Sequence, residues 1–207
     1  MLRLILVRPG TSDFDEQGRI KGTLDVPLNQ HGCDQAAKAA SELATIELDA
    51  IYCSPCQVAQ QTAETLGKQQ KLPVKVVEKF QNIDHGLWHG KLIEEVRQKQ
   101  PKVYRQFQDH PESCCPPDGE PVAEAITRVD EGLAKLLKKH KQGSIAIVAP
   151  EPVFSLIRAL LHHAQNLGDL WKAECQCGTW EAIEVNGKAP ATAPSTMIWR
   201  GQPVAKR

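Results

Sequence analysis

A chain of 207 residues in which 25 Lys plus Arg balance 25 Asp plus Glu has room for one sizeable buried core but generates no net field. That excludes the general attraction that draws basic proteins to nucleic acid or anionic membranes. Seven cysteines, an odd number, argue against a complete disulfide framework and for reduced thiols.

The first apolar run, Leu2 to Val7, stops at Arg8-Pro9-Gly10. It is too short for a signal-peptide core or a membrane span, so it is expected to be a buried strand of a cytoplasmic protein. A helix is predicted over Gly32 to Ile46, where Ala36, Ala40 and Leu43 share a face. Asp49 to Cys53 reads as the next strand. Ser54-Pro55-Cys56-Gln57 then offers an N-cap serine, a proline at the first helical position and a glutamine at the third.

Val74 to Val77 is a short strand. Residues from about 78 to 121, rich in Pro, His and Gln, are the least regular stretch and read as an inserted cap. From Val122 to His140, the residues Ile126, Val129, Leu133 and Leu136 recur at three and four, and Lys138, Lys139 and Lys141 suit a helix C-terminus. Ser144 to Ala149 is typical of a central parallel strand, Pro152 opens a helix, Thr179 to Val185 is the last strand, and an irregular tail starts at about residue 186. Alternating strands and helices imply an α/β fold: one domain over residues 1–207, a three-layer α/β/α sandwich with a mostly parallel central sheet. Its ligand site is expected beyond the strand carboxyl ends at Arg8–Ser12, Cys53–Gln57 and Ala149–Pro152.

At those ends the chain resembles the histidine phosphatase superfamily, which includes the cofactor-dependent phosphoglycerate mutases. Leu6-Val7-Arg8-Pro9-Gly10 is similar to that family's opening Leu-Val-Arg-His-Gly. Gly22-Thr-Leu-Asp25-Val-Pro27-Leu28, then Gly32 and Gln35-Ala36, Ser54 with Gln61-Thr62-Ala63, Gly86-Leu-Trp88-His-Gly90 and Pro117-Asp-Gly119-Glu120 continue it in order. Several blocks in family order are far more specific than any single one. The resemblance implies a phosphoglycerate mutase-like fold and a mechanism in which the first-block histidine is transiently phosphorylated. A second histidine, two arginines and an asparagine hold the phosphoryl oxygens, and an acid in the cap protonates the leaving group.

The residues at those positions depart from the pattern. Pro9 stands at the nucleophile position, and its ring nitrogen is locked in an amide with no lone pair for phosphorus. Pro150 stands at the second histidine, Val58 at the second arginine, Asn82 at the cap acid and Asp15 near the asparagine, leaving Arg8. Residues that act as a unit fail as a unit, and loss of a nucleophile alone costs about 10⁶ in turnover in other hydrolases. No catalytic residue is therefore expected, and Arg8, Asp15, Glu151 and His85 are the expected lining of the altered pocket. Charges at about 4 Å interact by about 4 kcal/mol at an effective dielectric of 20, so one arginine facing Asp15 and Glu151 is expected to hold phosphate poorly. Glu151, just before Pro152, is expected to pair with Arg8 at a helix N-terminus.

Other features have sharper and plainer readings. Cys53-Ser-Pro-Cys56 has the spacing of a redox or metal pair, with Cys56 in a first helical turn where the dipole lowers a thiol's pKa. The plainer reading makes Cys53 a core residue and leaves a zinc site two ligands short. Cys114-Cys115, His162-His163 and Cys175-Gln-Cys177 would make a metal site only if folding gathered them. No metal and no cofactor are expected. His31 reads as a turn residue, and the lysines from Lys135 to Lys141 as a solvated helical face.

Two functional readings follow, with a third beside them. One is a catalytically inert member of this fold that serves as a binding or scaffold protein, with a pocket retuned for a neutral or cationic small molecule or a protein partner, and with no nucleic acid or membrane. The alternative is a phosphomonoester hydrolase or mutase-like enzyme of altered chemistry that uses His85, His89 or Cys56. An assembly role without a ligand is the third.

Overall fold

Strand β1 (Leu2–Val7) lies inside a sheet whose five described strands run in the order β3 (Val74–Val76), β2 (Ala50–Cys53), β4 (Gly143–Val148), β1, β5 (Trp180–Val185). This computed structural model describes residues 1–110, 115–162 and 177–185. After β1 come a one-turn helix α1 (Asp13–Glu16), helix α2 (Gln30–Glu42), strand β2 (Ala50–Cys53), helix α3 (Gln57–Gln70) and strand β3 (Val74–Val76). Cap helices α4 (Ile93–Lys99) and α5 (Pro101–Asp109) lead to α6 (Val122–Lys139), β4 (Gly143–Val148), α7 (Val153–Leu161) and β5 (Trp180–Val185).

β1, β2, β3 and β4 run parallel and β5 pairs antiparallel with β1. The sequence gives the reason. β1 and β4 are almost wholly buried runs, as parallel strands covered on both faces must be, whereas β5 is partly exposed at an edge. Side-chain alternation divides β1 between two cores. Leu2, Leu4 and Leu6 pack with Val129, Leu133 and Phe154 of α6 and α7, while Ile5 and Val7 pack with Ala40, Ala59, Ala63 and Leu66 of α2 and α3. The result is the expected three-layer sandwich. Each fully buried leucine or valine in it contributes roughly 1.5–3 kcal/mol.

Three differences from the sequence reading have physical causes. α2 starts at Gln30 because Asn29 caps it, its side chain accepting the Gly32 N–H at 2.8 Å. α3 starts at Gln57 with Cys56 as N-cap, so Ser54 is not the cap. The Ser54 N–H donates to Val148 O at 2.9 Å and extends the sheet ladder, and Pro55 favours extended backbone before it. The stretch from 78 to 121 is more regular than its composition suggests, because α4 and α5 bury Val96 and Phe107 against the core. Among the described residues no helix is long and apolar enough to cross a membrane. The tail from 186 lies outside the described residues.

Candidate functional site

Strand register brings the three predicted ends together. Val7 pairs with Val148 and Val148 with Cys53, so the chain leaves β1, β4 and β2 side by side. Pro9 and Pro150 are both buried at these exits. Pro9 O accepts the Gly178 N–H at 2.9 Å, which sets Cys177 beside the first block. Gly10 and Gly32 meet so closely that a Cβ on Gly10 would sit 2.1 Å from Gly32 O, which explains why the loop after β1 needs glycine on both sides. Val58 is buried among α3 residues, and its carbonyl accepts the Thr62 hydroxyl at 2.8 Å. Thr62 Oγ1 in turn accepts the Gly10 N–H at 3.1 Å.

The Arg8–Glu151 pair forms as expected. Arg8 Nε donates to Glu151 Oε1 at 2.9 Å, with side-chain exposures of 15% and 14%. The guanidinium also lies 3.7 Å from the centre of the Phe154 ring, and Nη1 donates to Thr179 Oγ1 at 3.3 Å. Glu151 Oε2 accepts the Ser155 N–H at 3.3 Å, so the carboxylate sits on the first turn of α7 where an incoming anion would otherwise be received.

Asp15 requires a correction. It is no bare repulsive carboxylate, because Lys21 Nζ lies 2.6 Å from its Oδ1 and Ser12 donates to Oδ2 from its N–H at 2.8 Å and its hydroxyl at 2.7 Å. Two cations therefore face two carboxylates, where one had been expected to face two. Lys21 escaped the sequence reading because it lies six residues from its partner in a loop without periodicity.

Above this floor lies a cavity of about 650 Å³. Thr11, Asp15, Lys21, Glu151 and Cys177 line its base, and Ile20, Trp88, Ile93, Tyr104 and Phe107 supply apolar walls. Asn82 and His85 also face it. His85 is 5% exposed, and burial, reinforced by neighbouring His89, lowers its pKa to about 4. It is therefore a neutral imidazole at pH 7, packed edge-on to Phe107 with ring centres 5.6 Å apart. His89 Nε2 accepts the backbone N–H groups of His85 at 3.0 Å and Thr23 at 3.3 Å, so its lone pair is committed to holding the turn.

Cys56 also differs from expectation. As N-cap it precedes the first helical turn, and burial pushes its thiol above the ordinary value. Cys53 is pushed up to about 12 by burial in the core, as the plainer reading predicted. Among the described residues no three His, Cys, Asp or Glu side chains are grouped to hold a metal. Cys114, His163 and Cys175 lie outside those residues.

One clamp had no sequence signal. Arg128 of α6 donates through Nε to Glu120 Oε1 at 2.6 Å and through Nη2 to Oε2 at 2.8 Å. It also donates to the carbonyls of Lys79 at 3.0 Å, Gln81 at 2.5 Å and Asn82 at 3.2 Å. This five-donor fork ties the start of the cap to the long helix and fixes where Asn82 stands.

Sheet order, covering helices and a capped cleft at the strand ends define a phosphoglycerate mutase-like α/β protein. The sequence profile of the histidine phosphatase superfamily (branch 1) matches residues 4–193, and the chain belongs to that superfamily. It is 32% identical to phosphoserine phosphatase 1 of Hydrogenobacter thermophilus over 186 residues, covering 89% of this chain and 87% of that one. It is 26% identical to the adenosylcobalamin/alpha-ribazole phosphatase of Escherichia coli, covering 90% and 92%. The solved structure of Bacillus stearothermophilus YhfR superimposes with a TM-score of 0.80 at 27% identity, over 90% of this chain and 93% of that one.

Proposed function

We propose that this protein is a catalytically silent member of the histidine phosphatase superfamily that works in the cytoplasm as a small-molecule-binding or scaffold protein. The observation that carries the reading is the 2.9 Å Arg8–Glu151 pair at the strand ends. The arginine that the family resemblance assigns to phosphate is neutralised from within, on the helix turn that would receive the anion. Prolines at both histidine positions support the same conclusion, since neither ring can accept or relay a phosphoryl group.

The replacement chemistries have little support from the site. His89 spends its Nε2 lone pair on two backbone N–H groups. The Cys56 thiol is held protonated by burial. His85 is a neutral base of unusually low affinity for protons, unsuited to general acid work at neutral pH. The relatives carry phosphatase names, so the opposing reading is a phosphatase of altered mechanism. Incubating the purified protein with p-nitrophenyl phosphate, phosphoserine and 3-phosphoglycerate, with and without divalent cations, separates the two. The proposal expects phosphate release at the buffer rate. Release that persists through purification and vanishes in Cys56→Ser, His85→Gln or His89→Gln would overturn it.

A further inference from the structure

The charged groups at the base of the cavity are already paired. Asp15 is paired with Lys21 at 2.6 Å, Arg8 with Glu151 at 2.9 Å, and Glu16 lies 3.4 Å from the His31 ring. Arg19 donates to Gln17 Oε1 at 2.8 Å and to Gly90 O at 2.6 Å. An ionic ligand engaging Arg8, Lys21, Asp15 or Glu151 would have to break a part-buried pair and leave its partner uncompensated at the base of the cavity, a costly exchange.

Asn82 differs from all of them. It is 4% exposed, its Oδ1 accepts the Ile83 N–H at 2.9 Å, and it lines the cavity. That bond fixes the amide orientation and directs the NH₂ end away from Ile83. Among the described residues Nδ2 has no protein acceptor. Nδ2 is not sealed from solvent, so it keeps a donor open to an acceptor on a ligand in the cavity. The same cavity is lined by the rings of Trp88 and Phe107, themselves edge to face with centres 5.3 Å apart, together with Tyr104, Ile20 and Ile93. Few aligned polar groups on an apolar wall, within a volume of this size, are the usual make-up of a site for a small organic molecule.

We propose that the cavity binds an uncharged, ring-bearing small molecule that presents a hydrogen-bond acceptor to the Asn82 amide and its ring to the Trp88–Phe107 wall. This rests on the non-catalytic reading of the same site, and it narrows the ligand from neutral or cationic to neutral. The carboxylates that would attract a cation are matched by Arg8 and Lys21.

A series with one ring and four head groups tests it by protein-observed NMR: benzamide, benzoate, benzylammonium and phenyl phosphate. Benzamide is expected to bind about five- to tenfold more tightly than any charged member, the value of one good hydrogen bond, and to shift the Trp88 indole resonance. Asn82→Asp keeps the oxygen that accepts from Ile83 and replaces the inward NH₂ by an oxygen. It is expected to stay folded, to lose benzamide and to gain benzylammonium. Equal or tighter binding of a charged member, no binding by any of the four, or unchanged benzamide affinity in Asn82→Asp would overturn the assignment. Hydrolysis of phenyl phosphate to phenol would instead remove the non-catalytic reading, while the ranking of the other three compounds would still decide the ligand class.

Discussion

The base of the cleft and its cap wall carry polar groups of opposite kinds. At the base, Arg8, Lys21, Asp15 and Glu151 are charged and satisfy one another at 2.6–2.9 Å. On the cap wall, Asn82 and His85 are neutral, deeply buried and turned toward the cavity. Charges set in internal pairs specify structure, whereas a neutral donor in an apolar wall specifies a ligand. The two regions therefore differ in kind: the charges of the base close on one another, and the wall borders the open cavity.

That contrast can be broken or sharpened by mutation. The largest effect is expected at the clamp holding the wall. Arg128→Ala strips Glu120 and three cap carbonyls of their donors, and should cost on the order of 3–4 kcal/mol, a fall in Tm of about 6–16 °C by calorimetry. An unchanged Tm would show that the wall does not depend on α6.

The next effect is acid lability. His85 titrates near 4 in the folded protein against about 6.5 unfolded. Between those values the unfolded chain binds a proton that the native one refuses, so stability is full above about pH 6.5 and is lost as pH falls toward 4. The loss is on the order of 3 kcal/mol, and urea titrations at several pH values should show it shrinking in His85→Gln. Glu151→Gln at the base should cost about 2 kcal/mol by leaving Arg8 half-satisfied on the Phe154 ring. Lys21→Met is the smallest, about 1 kcal/mol, because Ser12 still donates twice to Asp15.

The sequence made the frame of this molecule readable. Leu2–Val7, the α6 stripe and the small, β-branched β4 run announce their structures through burial patterns that admit few alternatives. Where ladder hydrogen bonding decided the outcome, local signals misled. Ser54 looks like a cap, yet its N–H belongs to the sheet. At the site, the Arg8–Glu151 pair was legible because both residues stand at ends whose convergence follows from parallel topology. Lys21, Arg128 and the inward Cys177 were hidden, since loop and cap packing brings them in and no periodicity marks it. Asn82 was noticed for the carboxyl it lacks; only the bond to Ile83 reveals the donor it offers.

Anion binding with and without the internal carboxylate measures the closed base most directly. Glu151→Gly removes the group seated on Arg8 and on the first turn of α7, so calorimetric titration with inorganic phosphate should show millimolar binding in the variant and no saturation in the wild-type protein. Wild-type binding as tight as that of Glu151→Gly would mean that the Arg8–Glu151 pair does not close the anion site, and the account would fail there.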